Sequence, residues 1–251
     1  MPDQIHNPTS AKIPEPNPPT EDAEALDQGA NSNDYIVAAY YFGNFHVDPR
    51  NESAHGKGWT EWQLVRDAKP RFPGHSQPKV PLWGYEDESE PKVFEKKIAA
   101  AKKGAVSAFI FDWYYYNDGP FLDAALEKGY MNAGNRNDVK FALMWANHDW
   151  TDIHPAKMGS PPYLQFPGQV TPDTFEKITS LIVERYFSQE NYLKIDGCPY
   201  FSVYELYRFV VGMVCIVASL PLLHNTSMFD TSSPICSNTP MKTPFLIAYW
   251  P

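Results

Sequence analysis

The segment Trp145-Ala-Asn-His-Asp-Trp150 sets an amide, an imidazole and a carboxylate between two indoles. Flat aromatic rings stack on the C–H face of a pyranose, and amides and carboxylates bond its hydroxyls, so this mixture suits a neutral sugar. Similar mixtures occur at Tyr41, Asn44, Phe45 and His46, at Trp59, Glu61 and Trp62 in GKGWTEW, at Asp112, Trp113, Tyr115 and Tyr116, and at Tyr204 and Glu205. Glycosidic cleavage needs two carboxyls, one protonating the leaving oxygen and one acting at the sugar carbon or on water. Glu205, Asp149 and Asp112 are the candidate catalytic acids, Asp112 because a carboxylate inside an apolar run needs a partner or a task. The substrate-binding candidates are Tyr41, Asn44, His46, Trp59, Glu61, Trp113, Tyr115, Trp145, Asn147, His148 and Trp150.

Plainer readings stand beside these. Trp113 and Trp145 alternate with apolar residues and fit a core. Asp112 fits a structural ion pair, Glu61 a solvated loop, His148 a surface, and Glu205 a salt bridge to Arg208. His46 and His55 match no strong metal spacing, so no metal and no cofactor are expected. GxSxG, P-loop, GxGxxG and HExxH patterns are absent, which leaves serine hydrolase, NTPase, Rossmann and zincin chemistry without support.

The elements that must position these groups alternate. YIVAAYYF (35–42), SAFIFDWYYY (107–116), KFALMWAN (140–147) and DGCPYFSVYEL (196–206) read as strands. Between them lie an irregular loop (43–91), a helix over 91–104 with Val93, Ile98 and Ala101 on one face, a short helix over 121–130 and a helix over 171–188 capped by Thr171 and Pro172. Continuous apolar strands separated by helices predict an α/β fold with a parallel sheet, and function at the strands' carboxyl ends. Residues 1–34 carry six prolines and seven acids against one base, and read as a disordered acidic leader. Residues 209–251 hold two charges and read as an atypical, non-native tail. FVVGMVCIVASLPLL (209–223) is too short for a span and is broken by Gly212 and Pro221, so a membrane is not the expected partner. The stretch after it shows no helical or strand period.

The chain has 251 residues and a formal charge of −9, most of it in the leader. A near-neutral, aromatic-rich body argues against nucleic acid and for a glycan or oligosaccharide. Three cysteines without CxxC spacing predict neither a disulfide framework nor structural zinc. No basic n-region or apolar h-region opens the chain, so a cytoplasmic location is the default.

GKGWTEWQLVRDAKPRFPGHSQPKVPLWGY (56–85), FIFDWYYYNDGPFLDAAL (109–126), FALMWANHDWT (141–151) and YLKIDGCPYFSVYEL (192–206) resemble, in order, four blocks of the WbsX-type, glycoside hydrolase family 99-like proteins. The resemblance covers about 35–206. It implies a (β/α)8 TIM-type barrel acting on glycans, with relatives described either as glycosyltransferases of polysaccharide synthesis or as endo-acting retaining α-mannosidases. Two departures matter: His148-Asp149 stands where many relatives have Glu-Asn, and nothing after Leu206 matches their late acidic block. The expectation is therefore a partial barrel over 35–208, roughly the N-terminal four β/α units of the eight that a complete barrel takes. The expected function is glycoside hydrolase-like, short of a catalytic carboxylate if the late acidic block supplies one, with a glycosyltransferase and a non-catalytic carbohydrate-binding remnant as alternatives. Half a barrel has two open strand edges, which predicts self-association.

Overall fold

The computed structural model describes residues 35–154 and 159–205 and the backbone of 245–249. The leader, the apolar segment 209–223 and Arg208 lie outside the described residues. Ten strands are present among those described: β1 (Ile36–Tyr41), β2 (Ala108–Tyr116), β3 (Gly119–Phe121), β4 (Lys140–Trp145), β5 (Trp150–Thr151), β6 (Leu164–Phe166), β7 (Lys194–Ile195), β8 (Cys198–Pro199), β9 (Phe201–Val203) and β10 (Phe245–Tyr249). Four helices accompany them: α1 (Pro49–His55), α2 (Trp62–Arg66), α3 (Pro91–Lys103) and α4 (Pro172–Leu181).

The main sheet runs β10-β1-β2-β4-β9 with every pair parallel, and β3 folds back antiparallel on β2. From β1 to β9 each new strand is laid on the same side of the last. That singly wound order keeps right-handed crossovers on one face, as in a β/α barrel, whereas a doubly wound sheet reverses direction. The architecture is a partial TIM-type barrel.

Strand parity decides which side chains meet the helices. On β2, Phe111 and Trp113 touch the rings of Tyr130 and Tyr186, and Phe109 lies against Tyr41 and Tyr130. On β4, Phe141 meets Tyr130 and Tyr186, and Trp145 lies 6.0 Å from Phe175 of α4. Successive strand residues alternate sides, so Ile110, Asp112 and Tyr114 face the other way, into the curve of the sheet. α3 starts on Pro91, ends on the Gly104 cap and buries Phe94, Ile98 and Ala101. This i, i+4, i+7 stripe is headed by Phe94, not by the expected Val93, which sits too far round the helix from Ile98. Burying Phe94 and Ile98 fully contributes about 1.5–3 kcal/mol each.

The helix expected over 121–130 is shorter. Phe121 is claimed by the β2–β3 hairpin, and only Ala125–Gly129 coils, as a π-turn running into a 3₁₀ turn at Tyr130–Asn132. The absence of strand period after 223 does not hold at 245–249. FLIAY pairs in register with IVAAY, setting Ala248 beside Ala39 and Tyr249 beside Tyr40, so the outer edge of β1 is occupied rather than open. Cys198 is disulfide-bonded, one link and not a framework, and Cys215 and Cys236 lie outside the described residues.

Candidate functional site

The loop leaving β1 is fixed from below by Glu88. Its carboxyl accepts from the Tyr41 hydroxyl, from Lys97 and from the Phe45 amide at 2.9 Å, while its own amide donates to the Phe45 carbonyl at 3.0 Å. Phe45 then stacks on Trp62, whose indole N–H donates to the Glu86 carbonyl at 2.8 Å. α2 is thereby clamped, and Glu61, at its N-cap position, is turned into the molecule. Asn44 hydrogen-bonds the Glu61 carboxyl.

Two carboxyls gather on the concave side. Asp112 is largely buried, and its Oδ1 meets no donor among the described residues. Burial alone pushes its pKa up to about 7. Glu61 also rises to about 7, through burial first, with Glu88 adding and the Asn44 bond opposing. Tyr114 feels both acids: burial, then Asp112, Tyr116, Glu61 and Tyr204, raise its phenol well above the ordinary value. Around it lie His148 at 5.6 Å and Trp150 at 5.5 Å between ring centroids, and Tyr204 is 5.4 Å from His148. His154 lies 5.8 Å from Trp150 and 6.0 Å from Trp59, and Trp59 stacks on His55. Under Asp112 is a cavity of about 10 Å³, room for one water, lined also by Tyr114, Leu122 and Asp123. A separate open groove of about 490 Å³ is lined by Arg50, Tyr163, Gln165 and Phe166.

The structure therefore brings together Asn44, Glu61, Asp112, His148 and Trp150, with Trp59 at the rim of His154. It does not bring Trp113 and Trp145 to the site. At 3% and 2% exposure they pack against the helices, because they sit one residue out of phase with Asp112 and with Met144. Tyr115 stacks on Trp113 on that same side. Tyr41 spends its hydroxyl on Glu88 and Lys97, and His46 is wholly enclosed. Asn147 exchanges hydrogen bonds with the Glu205 main chain at 3.0 and 2.7 Å, which holds β9 to the end of β4. Asp149 accepts from the Gly168 amide at 2.8 Å and so fastens the 145–150 loop to the chain before α4. Tyr114 and His154 join the site without having been among the expected residues. Tyr114 was legible from its two-residue spacing to Asp112, while His154 is marked by no local pattern. Among the described residues no cluster of His, Cys, Asp and Glu fits a metal ion, and no helix is long and apolar enough to cross a membrane.

A singly wound α/β sheet with acids and aromatic rings at its strand ends is the frame of a barrel-type domain. The chain belongs to the family described as Glycosyltransferase WbsX, whose model matches residues 37–211. Two curated relatives, both named Uncharacterized protein WxcX, come from Xanthomonas campestris pv. campestris strains B100 and ATCC 33913. Each is 32% identical over 115 residues, 45% of this chain but only 16% of the relative. Among solved structures, a GH99 endo-alpha-mannosidase from Bacteroides thetaiotaomicron in complex with bis-tris-propane matches 68% of this chain and 42% of its own, at 17% identity and a TM-score of 0.39. Another structure of the GH99 endo-alpha-mannosidase from that organism covers 45% of its own chain at 18% identity and the same TM-score.

Proposed function

We propose that this domain belongs to a glycan-processing protein that breaks glycosidic bonds with Asp112 and Glu61 as its paired carboxyls. The observation that carries this reading is that each presents a buried carboxyl oxygen, Asp112 Oδ1 and Glu61 Oε1, that meets no hydrogen-bond donor among the described residues, and burial raises both towards neutrality. Near neutral pH one can hold a proton while the other is ionised, the division of labour that glycoside cleavage needs. The protonated carboxyl gives its proton to the glycosidic oxygen as the C–O bond breaks. The ionised one bonds to the sugar carbon or takes a proton from the water that does. His148 and the exposed Tyr204 ring offer hydroxyl partners and a stacking face, and Trp150, itself buried against Tyr114 and Phe121, backs His148. Asp149 and Glu205, the other candidate acids, stand outside this pair, and Asp149 serves to hold the loop.

A second reading, glycosyl transfer, is favoured by the description of the family. It uses the same site with a sugar hydroxyl in place of water. Calorimetry of the full chain against neutral oligosaccharides, mannans included, tests the ligand class, and turnover of oligosaccharides and aryl glycosides tests the chemistry. Asp112→Asn and Glu61→Gln should each lower turnover by about 10²–10⁴-fold while leaving binding measurable. Larger products instead of smaller ones would favour transfer, and binding without turnover a carbohydrate-binding domain. No heat with any glycan from a folded sample would remove the sugar site.

A further inference from the structure

Glu61 Oε1 and His154 Nε2 face each other across 3.7 Å. Both atoms are buried, and neither meets a hydrogen-bond partner among the described residues. The gap is longer than a hydrogen bond, yet shorter than the roughly 4.5 Å that separates two polar atoms bridged by a water at its tetrahedral angle. Each atom therefore has the other as its nearest available partner, and a shift of under about 1 Å would join them. Trp59 and Trp150 lie beside the imidazole at 6.0 and 5.8 Å between ring centroids. A buried polar atom left without a partner loses the hydration it had in the unfolded chain, which favours that shift.

We infer that His154 is the positioning partner of Glu61, its Nε2 accepting the carboxyl proton so that the two side chains hold one proton between them. This rests on the reading of Glu61 as one of the paired carboxyls. The other groups around the pair agree with it. Asn44 binds the Glu61 carboxyl, and Glu88 and Tyr114 act on it electrostatically, Glu88 favouring the protonated form. His154 is pushed below the ordinary imidazole value by burial and by His55, with Asp152 opposing, so it stays a neutral acceptor. An acceptor for the O–H stabilises protonated Glu61 and keeps the proton aimed and in place until substrate arrives. His154 would touch the reaction only through Glu61.

The test needs no substrate. Side-chain NMR titration of the full chain, with carbon-13 on Glu61 and nitrogen-15 on His154, should show Nε2 moving with the same midpoint as the Glu61 carboxyl. In His154→Phe the carboxyl midpoint should fall by about one pH unit, because the acceptor is gone while burial is kept. His154→Gln, whose amide oxygen can accept, should restore most of that shift. A Glu61 midpoint unchanged in His154→Phe, or an Nε2 signal indifferent to Glu61 in the unaltered chain, would overturn the inference. The Nε2 titration of the unaltered chain decides the matter even if a variant fails to fold. Glycan calorimetry reports separately, so the sugar reading and the proton pair can fail independently.

Discussion

Asp112 and Tyr114, two residues apart on β2, project from the same side of the sheet, and the carboxyl of the first raises the pKa of the phenol of the second. The residue between them, Trp113, points the opposite way into the helix layer. This one alternation separates the chemistry of the strand from its packing.

Stability should carry the signature of Asp112. Its carboxyl is held at about 7 in the folded chain against 3.8 in its ordinary state, so the folded form binds the proton more tightly. The contribution is full below pH 3.8 and is lost as pH rises through 7. Thermal melts of wild type and Asp112→Asn from about pH 4 to about pH 9 should diverge, the variant gaining relative stability as pH rises from about 4 to about 7 and holding that gain above it. Parallel melting curves at every pH would contradict a buried, raised Asp112.

Trp113→Ala and Trp145→Ala should each cost about 3–5 kcal/mol in denaturant unfolding, as truncations of buried aromatics do. Trp113→Phe should keep glycan binding intact. A loss of binding in Trp113→Phe with stability unchanged would return Trp113 to the sugar site.

Glu88→Ala should unsettle the loop that carries Asn44 and Glu61. It leaves Lys97 without its buried partner and removes the acceptor of Tyr41 and Phe45, a loss of about 3–5 kcal/mol. Limited proteolysis should then cut within 42–62 before the rest of the domain. Unchanged resistance there would show that another contact holds the loop.

Gly168→Ala tests the seat of the 145–150 loop. A methyl group at this position would press against the Asn147 carbonyl oxygen and the His148 main chain, which are backbone and cannot swing aside. Binding of any glycan ligand should fall well beyond the change in melting temperature, since His148 and Trp150 ride on that loop. Equal losses in both would mean that Gly168 serves stability alone.

The sheet was legible because four apolar runs of the right length are separated by helix starts and stops. Pro91 and Gly104 bracket α3, and Thr171 and Pro172 open α4, where the Thr171 side chain does accept from the Thr174 amide. The site was legible in part. Asp112 and Glu61 stand out as carboxyls beside aromatics, but Trp113 and Tyr115, adjacent to Asp112 or three positions away, are set on the opposite side by the period of two. The role of Tyr41 was hidden because its partner, Glu88, is 47 residues away in sequence. His154 is obscure for a similar reason, since its meaning comes from Glu61 across the fold. The strand at 245–249 is faint in sequence because five apolar residues among Ser, Thr, Pro and Asn carry little periodic signal.

That strand has a temporal consequence. β1 lies near the start of the described chain, yet its partner on one side is β10, some two hundred residues later, with Ile36 opposite Phe245. On a ribosome, which adds about 5–20 residues per second, β1 waits at least ten seconds or so for the second half of its ladder. Until then one of its edges stays open to other chains. Contacts of such long range also slow the closing step through the entropy of the loop they must shut. The danger period for this domain is thus during synthesis, and a holding chaperone bound at the exposed β1 edge would be of most use before residue 249 emerges.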